Sequence, residues 1–489
     1  MYNKDKQHIG KPNRQELGWS LFSPAVVGLI FTIIAVLFSF IIYNYLDFTK
    51  MPLAIVGLMG FVFLASVSIK DPGKVALVWF FAMSGFQSTG MIVMPGMPDF
   101  TYARLFMVWV LFILLIRFTV QGKAPKGPYM ADFGFIAYAV YLLIQLSVHD
   151  IHLFHQWYTS TLTPLIAYLF AKNVFTKGKQ ISQLFWVLVI PTFYFTITAI
   201  GEHYVIPELV WPKKILDPEI GNWWAGRARG PFLQTAVFGY ILGMFALTQI
   251  YLITRPYRRF LKLILGISIA GALLALFFTY TRGGWAAMAV GLITLAVMRK
   301  RFMPILISVA VVGALLLSAG ILQSTGGEDL EDRFSNTDTI ENRLGIISAS
   351  TNVVLDYPLF GMGYFQFREK GGEYLKGLYF PFYGYIKNKN VRHVVIHDMY
   401  FGRAAEEGLV GVLLLLIYVF GVGRSFIIKW RLNPQEPWFN RDLLAIFMSV
   451  IMLYLAGGMF IDPRYFDLPN AIPAFFAGLI TGYGNDRYK

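Results

Sequence analysis

Residues 261–300 read LKLILGISIAGALLALFFTYTRGGWAAMAVGLITLAVMRK. Two apolar runs, 261–279 and 284–298, are parted only by a short turn that holds Arg282 between Thr281 and Gly283-Gly284. Each run approaches the ~20 residues that a helix needs to cross a hydrocarbon core of about 30 Å. Lys262 stands at the start of the pair and Arg299, Lys300 and Arg301 at its end, so the basic residues fall on one side and the Arg282 turn on the other. The stretch reads as a hairpin of two membrane helices.

The rest of the 489-residue chain repeats this pattern. It is 56% hydrophobic and 14% charged, with a mean hydropathy of +0.56. A soluble domain of that length cannot hide so much apolar surface, so the bilayer is part of the solvent. Apolar runs are placed near 24–45, 52–69, 75–94, 103–119, 133–148, 157–171, 183–200, 232–253, 261–279, 284–298, 302–320, 399–423, 442–461 and 469–484. The expected fold class is therefore all-α: a polytopic integral membrane protein of about 14 transmembrane helices with one long, partly helical extracytoplasmic loop. The first run lacks a small-residue cleavage site and is read as a span rather than a signal peptide. Aromatics make up 17% of the chain, which suits rings placed where helices meet headgroups.

Charge sets the orientation. With the N-terminus inside, the cytoplasmic segments would be the N-terminal tail, 70–74, 117–130, 172–182, 254–262, 299–301, 424–441 and the C-terminal tail, and these hold 25 of the 42 lysines and arginines. Basic residues retained inside orient a membrane protein, so both termini are expected in the cytoplasm. The same distribution accounts for the net charge of +14 without nucleic acid. With no cysteine, disulfides and thiolate metal sites are excluded.

Two outer segments are long, 201–231 and 321–397, and long loops in compact folds are usually functional. Three regions follow: N-terminal transmembrane helices over 1–200, a core over 201–425 with the loop 321–397, and C-terminal transmembrane helices over 426–489. Within the loop, Ile340, Leu344, Ile347, Thr351 and Val354 recur at helical spacing and predict one apolar face. Asp338 and Glu341 resemble a capping box, and Pro358 ends the helix by disfavouring helical geometry at Tyr357. Such a helix is expected to lid an outward-facing cavity.

Candidate chemistry gathers on that outer side: Arg227 and Arg229 before the eighth run, Arg282 in its turn, Arg343 in the loop helix, Arg464 in the last outer turn, and His397 opening the twelfth run. Guanidinium forks match phosphate oxygens in pairs, so several together would make a pyrophosphate site that needs no metal. The plain alternative is that each arginine snorkels to lipid phosphates. Histidine can hold or take a proton near neutral pH. Arg403 and Glu407, four apart, suit a structural ion pair. His149, His152 and His155 are read as interfacial rather than metal ligands, and the acidic run 328–332 as a solvated loop start. No phosphate-cradling loop is present.

Taken in order, Arg-Gly-Pro-Phe at 229–232, Thr-Arg-Gly-Gly-Trp at 281–285, Pro-Leu-Phe-Gly-Met-Gly at 358–363, and His397 leading to Glu407-Gly-Leu-Val-Gly resemble the O-antigen ligase and polymerase family of bacterial membrane glycosyltransferases. The resemblance covers roughly 220–425; Asp398 stands where the family more often has Asn, and Thr281 where Ser is commoner. It implies a metal-independent transfer in polysaccharide biosynthesis for the cell envelope, without cofactor. An acceptor hydroxyl, on a glycan or a lipid A core, displaces undecaprenyl diphosphate from a lipid-linked glycan donor. Arg227, Arg229, Arg282 and Arg343 would then bind the diphosphate, with Arg282 and His397 catalytic and Asp398, Arg403 and Glu407 supporting. Membrane lipid and polysaccharide assembly proteins are the further partners expected, and O-antigen or exopolysaccharide polymerase is favoured over ligase.

A flippase for polysaccharide or lipid-linked oligosaccharide is the alternative from another class. Transporters carry internal repeats and midplane charges, whereas the charges here lie at one surface beside one loop. A non-catalytic scaffold would leave the arginine set unexplained.

Overall fold

A computed structural model describes residues 71–85, 101–119, 125–149, 153–217, 226–318, 338–375, 379–380, 384–385 and 396–483. The expected runs at 24–45 and 52–69, the acidic run 328–332 and His152 lie outside them. From residue 73 onward, a helix overlaps each expected apolar run and α10 lies in the expected loop: α1 Gly73–Met83, α2 Tyr102–Thr119, α3 Met130–His149, α4 Thr163–Val174, α5 Gly178–His203, α6 Thr235–Ile253, α7 Arg259–Phe278, α8 Arg282–Met298, α9 Met303–Ser318, α10 Asp338–Asp356, α11 Met399–Leu432, α12 Arg441–Gly458 and α13 Asp467–Gly482. Among the described residues, six of these are long and apolar enough to cross a membrane, namely α3, α5, α6, α7, α11 and α12. The described part is helical apart from short turns and one two-residue antiparallel pairing, Tyr379–Phe380 with Gly384–Tyr385.

Helix α6 is apolar on every face and is buried from Thr235 to Leu252, with α5, α7, α8, α12 and α13 packed around it. Small residues set the closest approaches between helices. A Cβ on Gly478 or Gly482 of α13 would lie 2.2 Å from the carbonyl oxygen of Tyr168 or Lys172 on α4. Gly134 of α3 and Gly421 of α11 meet the partner backbone in the same way, at 2.4 and 2.3 Å. In lipid, where burial of apolar surface does not drive helices together, such close backbone contact is a main source of attraction. The outside is apolar as well: Phe260, Leu263 and Ile267 on α7, Val297 on α8, Ile307, Val311 and Leu315 on α9 and Phe420 on α11 are all exposed. Only hydrocarbon accommodates a band of that kind, so the chain is a multi-pass membrane protein.

Contacts between the connecting segments sort into two ends. At the basic end, Arg299 and Arg301 pair with Asp442 at 2.6 and 2.5 Å, Lys126 donates to Gly482 O at 2.9 Å, and Gln180 donates to Asp71 at 3.3 Å. At the other end, Ala228 N donates to Phe278 O at 2.8 Å and Arg343 to Phe460 O at 3.1 Å. Each of these contacts joins segments that the charge pattern assigns to the same side.

The loop helix α10 starts at Asp338, as its sequence predicts, but its buried face differs. Ile346, Ala349, Ser350 and Val353 point inward, while Leu344 and Thr351 are exposed. The face is rotated by about one residue from the expected set. Its inward side packs on Met362, Phe367, Leu375, Ile396 and Ala405, a small core separate from that of the spans. The side chains of Asp338 and Glu341 lie outside the described residues.

Candidate active site

The end opposite the basic turns is organised around Phe460, in the turn between α12 and α13. Gly283, in the first turn of α8, lies flush against it; a Cβ there would be 2.6 Å from the Phe460 Cβ. Arg343 of α10 reaches the same residue from another direction, donating to its carbonyl at 3.1 Å with the guanidinium 5.6 Å over its ring. Arg282, the first residue of α8, is exposed beside this contact. Burial lowers the pKa of Arg343, and the neighbouring Arg282 charge adds to the effect. Two cations so placed repel each other, and a polyanion between them would relieve that.

The α7–α8 turn is held from below by Arg227. Its Nε donates to Thr279 O at 3.1 Å, and its Nη2 to Tyr280 O, Thr281 Oγ1 and Thr235 Oγ1 at 3.2, 3.3 and 3.4 Å. Tyr280 takes a left-handed conformation, with φ of 48°, which turns the chain sharply into α8. Arg229, two residues on, is buried instead. Its backbone N–H and that of Gly230 donate to the Glu202 carboxylate at 2.9 and 2.7 Å, its guanidinium lies 3.7 Å from the same group, and it also donates to Ile215 O.

His397 and Asp398 sit at the start of α11. Asp398 caps the helix, its Oδ1 accepting from Tyr400 N at 2.8 Å and Phe401 N at 3.0 Å. Burial raises its carboxyl above the usual range, against those two donors. His397 is exposed at the N-terminal end of that helix. Desolvation pushes its imidazole below its ordinary pKa, the Arg343 charge pushes the same way, and Asp462 opposes them. The ring is therefore neutral, and able to accept a proton, at physiological pH.

Beneath these groups runs a buried ionic network. Arg464 pairs with Asp462 at 2.6 Å, Glu406 at 2.8 Å and Glu407 at 3.1 Å. The expected Arg403–Glu407 pair is present at 3.3 Å; Arg403 also donates to Tyr138, whose hydroxyl donates to Glu407 at 2.8 Å. A buried network is tolerable only with its members mutually satisfied, and breaking one typically costs several kcal/mol.

Two glycine motifs fasten this network to the loop. Helix α11 is broken at Gly408, with φ of 67° and ψ of −174°. Into the break fits the turn after α10, where Gly361 also has a positive φ of 70°. Leu409 N and Val410 N donate to Pro358 O and Leu359 O at 2.9 and 3.1 Å, while Met362 N and Gly363 N donate to Ala405 O and Glu406 O at 2.9 and 3.1 Å.

The structure thus brings Arg282, His397 and Asp398 near Arg343, puts Arg227 under the turn that carries Arg282, and buries Arg229, Arg403 and Glu407 in ion pairs. Sequence reasoning passed over Glu202, Glu406, Phe460 and Asp462. An acid in an apolar run is expensive unless paired, and that signal marks Glu406 within 399–423, whereas Glu202 falls just beyond the run 183–200. His155 is exposed and bonds Gln156. Among the described residues, no group of three or more histidine, aspartate or glutamate side chains is placed to hold a metal ion.

Residues 267–416 match the profile of the O-antigen ligase family, in keeping with the resemblance of the motifs at 281–285, 358–363 and 397–411, which lie within the match. The match takes in Arg282, Arg343, His397, Asp398, Arg403 and Glu407, and leaves Arg227, Arg229 and the 460–464 turn outside it. No curated protein matches the chain.

Proposed function

We propose that the protein is a glycosyltransferase of the inner membrane that joins glycans carried on undecaprenyl diphosphate, working on the extracytoplasmic side with about 14 spans and both termini cytoplasmic. The observation that carries this is that three separate elements meet at Arg343: it donates to Phe460 O, against which Gly283 next to Arg282 packs, and its charge acts on His397. The basic turns at the opposite end support the orientation.

In the proposed step an acceptor hydroxyl attacks the anomeric carbon. The new carbon–oxygen bond forms as the bond to the diphosphate oxygen breaks, the electron pair leaves with the diphosphate, and the hydroxyl proton passes to His397. Arg282 and Arg343 bind the diphosphate and offset the charge that builds on it. Arg227 fixes the turn that aims Arg282, and Arg229 with Glu202 holds the segment that carries Arg227. Asp398 orients His397 by capping α11, and Arg403 and Glu407 hold the helix behind it. The acceptor is a second lipid-linked repeat in a polymerase, the favoured reading, or a lipid A core in a ligase.

The test is purified protein in liposomes with an undecaprenyl-diphosphate-linked oligosaccharide. A ladder of lengthened products with released undecaprenyl diphosphate is expected. Transfer to lipid A would make it a ligase. Translocation of the donor without release would replace the proposal with a flippase.

A further inference from the structure

The motif Pro358-Leu-Phe-Gly-Met-Gly has no part in the chemistry above, and its position relative to the spans is unusual for a loop. The Phe360 carbonyl accepts from Gln145 Nε2 at 2.5 Å and from Tyr141 at 3.3 Å, both on α3. The apolar span of α3 runs to Val148. At a rise of about 1.5 Å per residue, Phe360 sits roughly 5 to 10 Å inside the outer end of that span. At this level Val140, Leu143 and Ile144 of α3 are exposed, as are Leu409 and Leu413 of α11. Leu359 and Phe360 lie in the same band and are themselves 56% and 61% exposed.

Non-helical backbone survives at membrane depth only where its polar groups are satisfied within the protein. That condition is met: the break at Gly408 frees two helix donors, and the carbonyls of Pro358 and Leu359 accept from them at 2.9 and 3.1 Å, while the Phe360 carbonyl is taken by α3. Gly361 N closes the turn by donating to Tyr357 O at 3.0 Å.

We infer that the 358–363 turn is a re-entrant wedge, and that the side chains of Leu359 and Phe360 contact the acyl chains of the outer half of the bilayer. They add to the exposed apolar residues of α3 and α11, the two helices to which the turn is hydrogen-bonded. The wedge pins the loop that carries Arg343 at the depth of the lipid headgroups, and it does so whether or not the chain transfers glycans.

The chain has no cysteine, so single probes can be placed without other changes. Leu359→Cys, Phe360→Cys and, as a control on the exposed side of the loop, Lys370→Cys are each labelled with an environment-sensitive fluorophore in proteoliposomes. Quenching by nitroxide on the lipid acyl chain and by aqueous iodide is then compared. The labels at 359 and 360 are expected to lose most of their fluorescence to the acyl-chain nitroxide and little to iodide, with the reverse at 370. Labels at 359 and 360 that iodide quenches as strongly as the one at 370, and that the nitroxide leaves bright, would overturn the inference. Because no turnover is read, that failure is distinguishable from failure of the glycosyl-transfer proposal.

Discussion

Replacing Gly408 by alanine tests the fastening between loop and spans at a single atom. The residue's φ of 67° and ψ of −174° lie in a region essentially reserved for glycine, and forcing another residue there costs about 1–3 kcal/mol. The added Cβ would fall 2.3 Å from Gly361 N and 2.4 Å from Leu359 O, backbone atoms that cannot swing aside. Relief requires the two segments to part, which gives up four backbone hydrogen bonds worth about 0.5–1.5 kcal/mol each. The total, about 3–9 kcal/mol, is comparable with the whole stability of an ordinary domain. Gly423, farther along the same helix, has nothing within 4 Å of its added Cβ and serves as the control. Gly423→Ala is expected to be neutral or stabilising by up to about 1 kcal/mol. Thermal unfolding of detergent-purified protein, with yield recorded, reads both. The expected result is a Gly408→Ala protein that melts far below the parent or fails to accumulate, beside a normal Gly423→Ala. A Gly408→Ala protein that melts with the parent would refute the interlock.

Arg282→Lys keeps the charge and loses the two-pronged fork, so transfer should fall by about 10²-fold or more with normal membrane insertion; parent-level product from Arg282→Ala would remove the residue from the site. Arg343→Gln removes a cation that disfavours the His397 imidazolium, so the histidine pKa should rise and the acidic limb of the pH–rate profile should move to higher pH; a limb that stays in place or moves lower contradicts the assignment. For topology, cysteines at Gly326 and Lys376 should react with an impermeant thiol reagent once the outer barrier of intact cells is opened, and one at Lys177 should not; labelling at Lys177 alone reverses the orientation.

Much of the architecture was legible because membrane crossing has a length and because basic residues mark one side. Helix α10 was located from its periodicity and from Pro358, yet its buried face was misplaced. Apolar side chains here face lipid as well as protein, so the hydrophobic period gives a helix and leaves its phase open: Leu344 and Leu355 are 60% and 72% exposed, while Ile346 and Val353 are buried. The arginines could be gathered by side but not sorted. Arg227 and Arg229 look alike in sequence, and what separates them is Glu202, 27 residues away from Arg229, and the carbonyls of the 279–281 turn. The interlock of Gly361 with Gly408 joins segments 47 residues apart through backbone groups, which no side-chain pattern records.

The most direct test of the account separates binding from transfer at His397. His397→Ala leaves Arg282 and Arg343 in place, so the purified variant should bind the undecaprenyl-diphosphate donor as the parent does. Transfer to acceptor should fall about 10²- to 10⁴-fold, the usual contribution of a positioned general base. What rate is left should lack the acidic limb that histidine protonation gives the parent. Product formed by His397→Ala at the parent rate would contradict the catalytic role and, with it, the transferase reading.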